Sequence, residues 1–109
     1  MEKKAVDKYT FCVEWSEKDK SHVSRCLEFP SVMAHGKSPE AALKEIRTAV
    51  FQAIQWMEEE GETIPEPLGL RSFKGNLTLR VSSDVHRQLA IRAADQRVSV
   101  NQYILSKIA

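Results

Sequence analysis

The stretch Asn76-Leu77-Thr78-Leu79-Arg80-Val81-Ser82-Ser83-Asp84 decides how this chain is read. Leu77, Leu79 and Val81 share one parity, and Asn76, Thr78 and Arg80 share the other, the period of a strand with one apolar face. Ser82, Ser83 and Asp84 then supply cap chemistry for a helix, in which Val85, Leu89 and Ala93 recur on one face beside Ala90 and Ala94. After Gln96-Arg97-Val98, Ser99 caps a second helix with the apolar stripe Val100, Tyr103, Ile104 and Ile108. One strand and two short helices cannot bury enough surface to fold alone, and a lone strand leaves both backbone edges unpaired. The simplest repair is a second copy. Two strands then pair antiparallel over four helices, and Leu77, Leu79, Val81, Leu89, Tyr103 and Ile104 form a shared dimer core. The opposite parity projects as a two-stranded ribbon of the right width for the DNA major groove. On that ribbon Arg80 suits guanine, Asn76 suits adenine, and Thr78 suits a thymine methyl or a base edge. The start of the second helix, at Ser99, Val100 and Asn101, suits a DNA phosphate.

Upstream, Ile64-Pro65-Glu66-Pro67-Leu68-Gly69 can neither continue a helix nor pair as a central strand, so a boundary is expected near residue 68. The charges change sign across it. Residues 1–67 carry nine basic and thirteen acidic side chains, a balance of −4, whereas residues 68–109 carry seven and two, a balance of +5. The whole-chain charge of +1 hides this asymmetry, which points one part at a polyanion and the other elsewhere. A chain of 109 residues, 42% hydrophobic and 28% charged, excludes a large multidomain enzyme and an intrinsically disordered tail. The chain opens with Met1-Glu2-Lys3-Lys4, not a signal peptide, and no apolar run approaches the ~18 residues of a membrane span. Two cysteines are too few for a disulfide-stapled secreted fold, so a cytoplasmic location is expected, with no membrane partner.

The first part begins with alternation. Tyr9, Phe11, Val13 and Trp15 make one apolar strand face, and Val23, Arg25, Leu27 and Phe29 alternate again, predicting a hairpin around Ser16–Ser21. Pro30 is read as the stop of the second strand, and residues 31–35 as a short third strand closed by Gly36. A helix follows, with Ser38 at the N-cap, Pro39 at its first position and Glu40 at its positive end. Leu43, Ile46, Val50, Ile54 (or Ala53) and Met57 form its buried face, and Gly61 its C-cap. Residues 68–73 carry a weak further strand pattern. The fold class expected is α+β: a small N-terminal sheet with one packed helix, then strand-helix-helix.

Residues 75–109, GNLTLRVSSDVHRQLAIRAADQRVSVNQYILSKIA, resemble a ribbon-helix-helix DNA-binding domain of the Arc/MetJ type. The strongest likeness is Val98-Ser99-Val100-Asn101-Gln102-Tyr103-Ile104. The first part, from YTFCVEWSEKDK to EEEGETIPEP, is similar to the N-terminal domain of HicB-type antitoxins, a degraded, partial ribonuclease-H-like fold without catalytic acids. The resemblance implies a toxin-binding domain over 1–68 and a DNA-binding and dimerisation domain over 69–109. It further implies an antitoxin that neutralises a HicA-type mRNA endoribonuclease and represses its own operon at operator DNA. Such a protein is no enzyme and needs no cofactor; it is a homodimer, and possible pairing of dimers into a tetramer is left open. Three departures stand out. Arg97 occupies a turn position where relatives often have glycine, and Ser82 and Ser83 replace prolines. Asn76 takes a slot often filled by lysine, a charge that Lys74 supplies to a phosphate instead.

Other readings stay open beside this one. If the hairpin turns near Asp19, Cys12 opposes Cys26, allowing a disulfide or metal pair, although two reduced thiols are the plainer expectation. His22 and His35 fit no zinc spacing, and His86 reads as a packing or capping residue. Glu14 and Glu28 are read as solvated strand residues and not as a nuclease pair. Trp56 and Phe51 mark a partner surface or a wider core, and Glu58-Glu59-Glu60-Glu62 a solvated helix end or an RNA mimic. The alternative function is a ribbon-helix-helix regulator whose N-terminal part senses a ligand or oligomerises without any toxin; a residual nuclease comes third.

Overall fold

The structure, a computed structural model, describes residues 3–109. The chain forms two compact units, Met1–Phe73 and Lys74–Ala109. The fold class is α+β, with a three-stranded antiparallel sheet and three α-helices among the described residues.

In the first unit a 3-10 turn over Lys3–Lys8 leads into β1 (Phe11–Ser16), β2 (Ser21–Cys26) and β3 (Phe29–Gly36), in the order β1-β2-β3. The helix α1 (Pro39–Glu59) follows as expected: Ser38 Oγ accepts from the Ala41 amide at 3.1 Å, and Pro39 stands in the first turn. Its end is closed by a paired-amide cap. Gly61, at φ +69°, donates to Glu58, and Glu62 donates to Met57. One face of α1 buries Ala42, Ile46, Val50 and Ile54. Ile46, Val50 and Ile54 join Tyr9, Cys26 and Phe29 in the core, together with Val6 from the opening turn, which the sequence reading missed. Ile64, from beyond the helix, and Phe51, within α1, pack on this core, while Trp56 remains 55% exposed.

The hairpin register corrects two expectations. Phe11 pairs with Cys26 and Cys12 with Arg25, one residue away from the register inferred around Asp19. A one-residue shift turns every side chain to the other face. The side of β2 that meets α1 is therefore His22, Ser24 and Cys26, and not the more apolar alternation Val23, Arg25, Leu27. Ser24 is fully buried there and donates to the Ala42 carbonyl at 2.8 Å. Cys12 and Cys26 lie on opposite faces, and both thiols are free. The turn is tight because Lys20 adopts φ +50°.

Pro30 does not end a strand; it lies inside β3. Arg25 pairs with Met33 but Cys26 with Phe29, so a bulge absorbs residues 30–32 on the outer edge of the sheet. Proline is tolerated there because no ladder bond is lost. Helix and sheet approach closely at Gly36, where a Cβ would stand 2.3 Å from the Ala42 nitrogen. Residues 68–73 add no strand: Leu68–Leu70 form a single 3-10 turn.

In the second unit α2 (Ser83–Asp95) and α3 (Val100–Ile108) form where the caps foretell. Ser82 accepts from Val85 at 3.3 Å. Between the helices Arg97 holds φ +59°, donating to Ala94, while Val98 donates to Ala93. This is the paired-amide helix end with arginine in the left-handed slot that glycine fills without penalty. Arg97→Gly is expected to raise the unfolding free energy by about 1 kcal/mol, read as a higher melting temperature. An unchanged or lower melting temperature would mean the turn is not strained.

Candidate functional site

Within the second unit, packing reaches completion only between the helices. Ala93 and Tyr103 are buried, Leu89, Val100 and Ile104 are half-buried, and Lys107 lies over the Tyr103 ring at 5.4 Å. Residues 76–81 pair with no strand in the single chain. Leu77, Leu79 and Val81 are 86%, 64% and 48% exposed. Three apolar side chains at period two, all turned to water, form a surface that lacks its cover. Asn76, Thr78, Arg80 and Lys74 are exposed as well. The segment therefore carries both an apolar row and a polar row on a backbone with unused donors and acceptors.

The start of α3 carries three of the residues expected at a phosphate, Ser99, Val100 and Asn101. Ser99 Oγ accepts from the Gln102 amide at 3.0 Å, and Gln102 Oε1 accepts from the Ser99 amide at 2.9 Å, a full capping box. The Ser99 hydroxyl oxygen accepts in this cap, which leaves its O–H free to donate. The first-turn amides of Val100 and Asn101 have no acceptor within the helix and point along its positive end, where an anion is favoured.

The first unit holds a different kind of site. Glu28, expected in solvent, is only 7% exposed. Its carboxylate accepts from the Thr10 amide at 3.0 and 3.2 Å, the Thr10 hydroxyl at 3.1 Å and the Leu68 amide at 2.9 Å. Burial alone pushes this carboxyl up, but the Leu68 and Thr10 amides favour the anion and the net shift is below the ordinary glutamate value. Tyr9 adds a second tie, its hydroxyl donating to the Pro65 carbonyl at 2.7 Å. Strand start, β2–β3 turn and the segment after α1 are thus laced together. Beside them Cys26 is pushed up to about 11 by burial, so its thiol stays protonated and inert near neutrality. Glu14 is exposed and lies 3.2 Å from Arg25. His35 stands 3.6 Å from Asp19, and His22 packs edge-on against Trp15. Among the described residues no group of three or more His, Cys, Asp or Glu converges as a metal site. No described helix is long and apolar enough to cross a membrane.

An exposed apolar row feeding two capped helices, on a unit of positive charge, is the arrangement of the second unit. In comparison with known families, residues 58–108 match the model of the HicB family. The match spans the end of α1, the Pro65–Pro67 segment and almost all of the second unit, a little under half of the chain. Neither the comparison with curated proteins nor that with solved structures returned a match.

Proposed function

We propose that this protein is the antitoxin of a type II toxin–antitoxin system, acting by binding and not by catalysis. The first unit, read as a partial ribonuclease-H-like domain, holds and masks a HicA-type mRNA endoribonuclease. The second unit, read as a ribbon-helix-helix domain, pairs with a second copy and represses the operon at operator DNA. The observation that carries the reading is the exposed row Leu77, Leu79 and Val81 with Asn76, Thr78 and Arg80 in alternation. Pairing two such segments antiparallel buries the first set and aligns the second as a groove-reading ribbon. The Val100 and Asn101 amides, with Lys74, then take flanking phosphates. The balance of −4 over residues 1–67 suits a basic, RNA-cleaving partner, and +5 over residues 68–109 suits DNA.

Arg80→Ala is expected to weaken specific operator binding by ~1–3 kcal/mol while leaving the dimer intact. A gel-shift titration with unchanged affinity would remove Arg80 from the reading surface. The other half is tested by co-expression with a HicA-type toxin encoded beside this gene: the two products should co-purify. A toxic neighbour that does not co-purify would show that the first unit serves another purpose.

A further inference from the structure

We infer that the outer edge of β1 is a second self-association surface, through which two copies join their sheets antiparallel about Val13, each placing Trp15 in the other's groove. The two edges of this sheet are built differently. The β3 edge is blunted by Pro30 and a bulge, both devices that discourage strand addition. The β1 edge, Phe11–Ser16, has neither proline nor bulge. Its backbone is also correctly phased for pairing. Leu27 donates to the Thr10 carbonyl, and the Thr10 amide points to Glu28, so residue 10 faces β2. Antiparallel alternation then turns the amides and carbonyls of Phe11, Val13 and Trp15 outward.

The strand is self-complementary about its centre. A two-fold axis at Val13 sets Phe11 opposite the second copy's Trp15, Val13 opposite Val13, and Cys12 opposite Glu14. No like charges stand directly opposed, and Glu14 is already balanced by Arg25 at 3.2 Å. The knob and the hole lie on the same edge. Trp15 is 51% exposed, an uncommon position for so large a ring. Phe11 lines a shallow groove of about 230 Å³ with Leu43, Asp7 and Arg47. Phe11 and Trp15 share a sheet face, the one that meets α1. The same rotation that pairs the strands therefore carries the second copy's Trp15 to Phe11 and this groove, where Arg47, ion-paired to Asp7, offers its guanidinium to the indole. One strand and one aromatic bury less than a standard interface of ~1,600 Å², so pairing emerges at a concentration on the order of 0.1 mM or through linkage to a second contact.

This association does not depend on the ribbon. Sedimentation of the full chain over rising concentration tests it with two variants. Val13→Pro removes the outward donor at the axis, and Trp15→Asp removes the knob at an exposed position where little stability is at stake. Each should halve the limiting mass of the wild-type protein with an unchanged melting temperature. If the second unit dimerises, the change is from four copies to two; if it does not, from two to one. Failure of the ribbon reading is thus distinguishable from failure of this one. Equal limiting mass for wild type and both variants would overturn the β1 interface, as would a limiting mass of a single chain for the wild type.

Discussion

Glu28→Ala is expected to destabilise the Met1–Phe73 unit by ~3 kcal/mol, measured by urea denaturation. The side chain is an acceptor hub, not a surface charge. Truncation leaves the Thr10 and Leu68 amides without their acceptor, each an orphan worth ~1–3 kcal/mol where water does not replace it. Glu28→Gln keeps an acceptor but loses the charge and should fall between. The pH dependence has a definite sign. A carboxyl whose folded value lies below its unfolded value of about 4.3 contributes fully above the unfolded value. That contribution is lost as pH falls through the folded one. The wild-type protein should therefore lose stability on acidification below about pH 4.3 more steeply than Glu28→Gln. A cost under ~1 kcal/mol for the alanine variant, with parallel acid profiles, would return Glu28 to the role of a solvated residue.

Leu79→Glu is expected to abolish pairing of the second unit and reduce operator affinity by at least about 100-fold, some 3 kcal/mol. Leu79 sits at the middle of the apolar row and is 64% exposed in the single chain, so the substitution removes little from one copy's own packing. In a paired ribbon the two side chains at this position enter the shared core, where two unpaired carboxylates are costly to desolvate. Because α2 and α3 bury only Ala93 and Tyr103 between them, loss of the partner should also lower helicity. Circular dichroism and sedimentation report both effects. A variant that keeps its mass and its DNA affinity would end the ribbon reading, whereas Arg80→Ala separates contact with DNA from assembly.

The helices were legible because their signals are local. Ser38-Pro39-Glu40, Ser82 and Ser99 each place a cap acceptor three residues before the amide it serves. Gly61 and Arg97 mark helix ends through a backbone angle of one residue. The alternation at residues 76–81 was legible for a similar reason, since a period-two row needs no knowledge of distant chain. In the single chain Leu77, Leu79 and Val81 are exposed.

The hairpin was not legible to the same depth. Val23 and Leu27 look like the inner face of β2, yet Ser24 and Cys26 take that place because the turn centres half a residue earlier than Asp19. Alternation reveals that a strand has two faces but not which of them a distant helix will choose. That choice rests on Gly36 and Ser24, small enough to let α1 come close at Ala42.

By itself, then, the sequence determined the order of the three strands and three helices, the caps, the charge division and the apolar alternation at residues 76–81. All of these follow from periodicity, composition and the chemistry of near neighbours. Tertiary structure alone decided the strand register, the bulge at Pro30, the burial of Glu28 and the groove beside β1. Each joins residues far apart in the chain, Thr10 with Glu28 and Leu68 or Phe11 with Leu43 and Arg47. Such unions are set by closure of the chain in space, a long-range condition that no window of neighbouring residues contains.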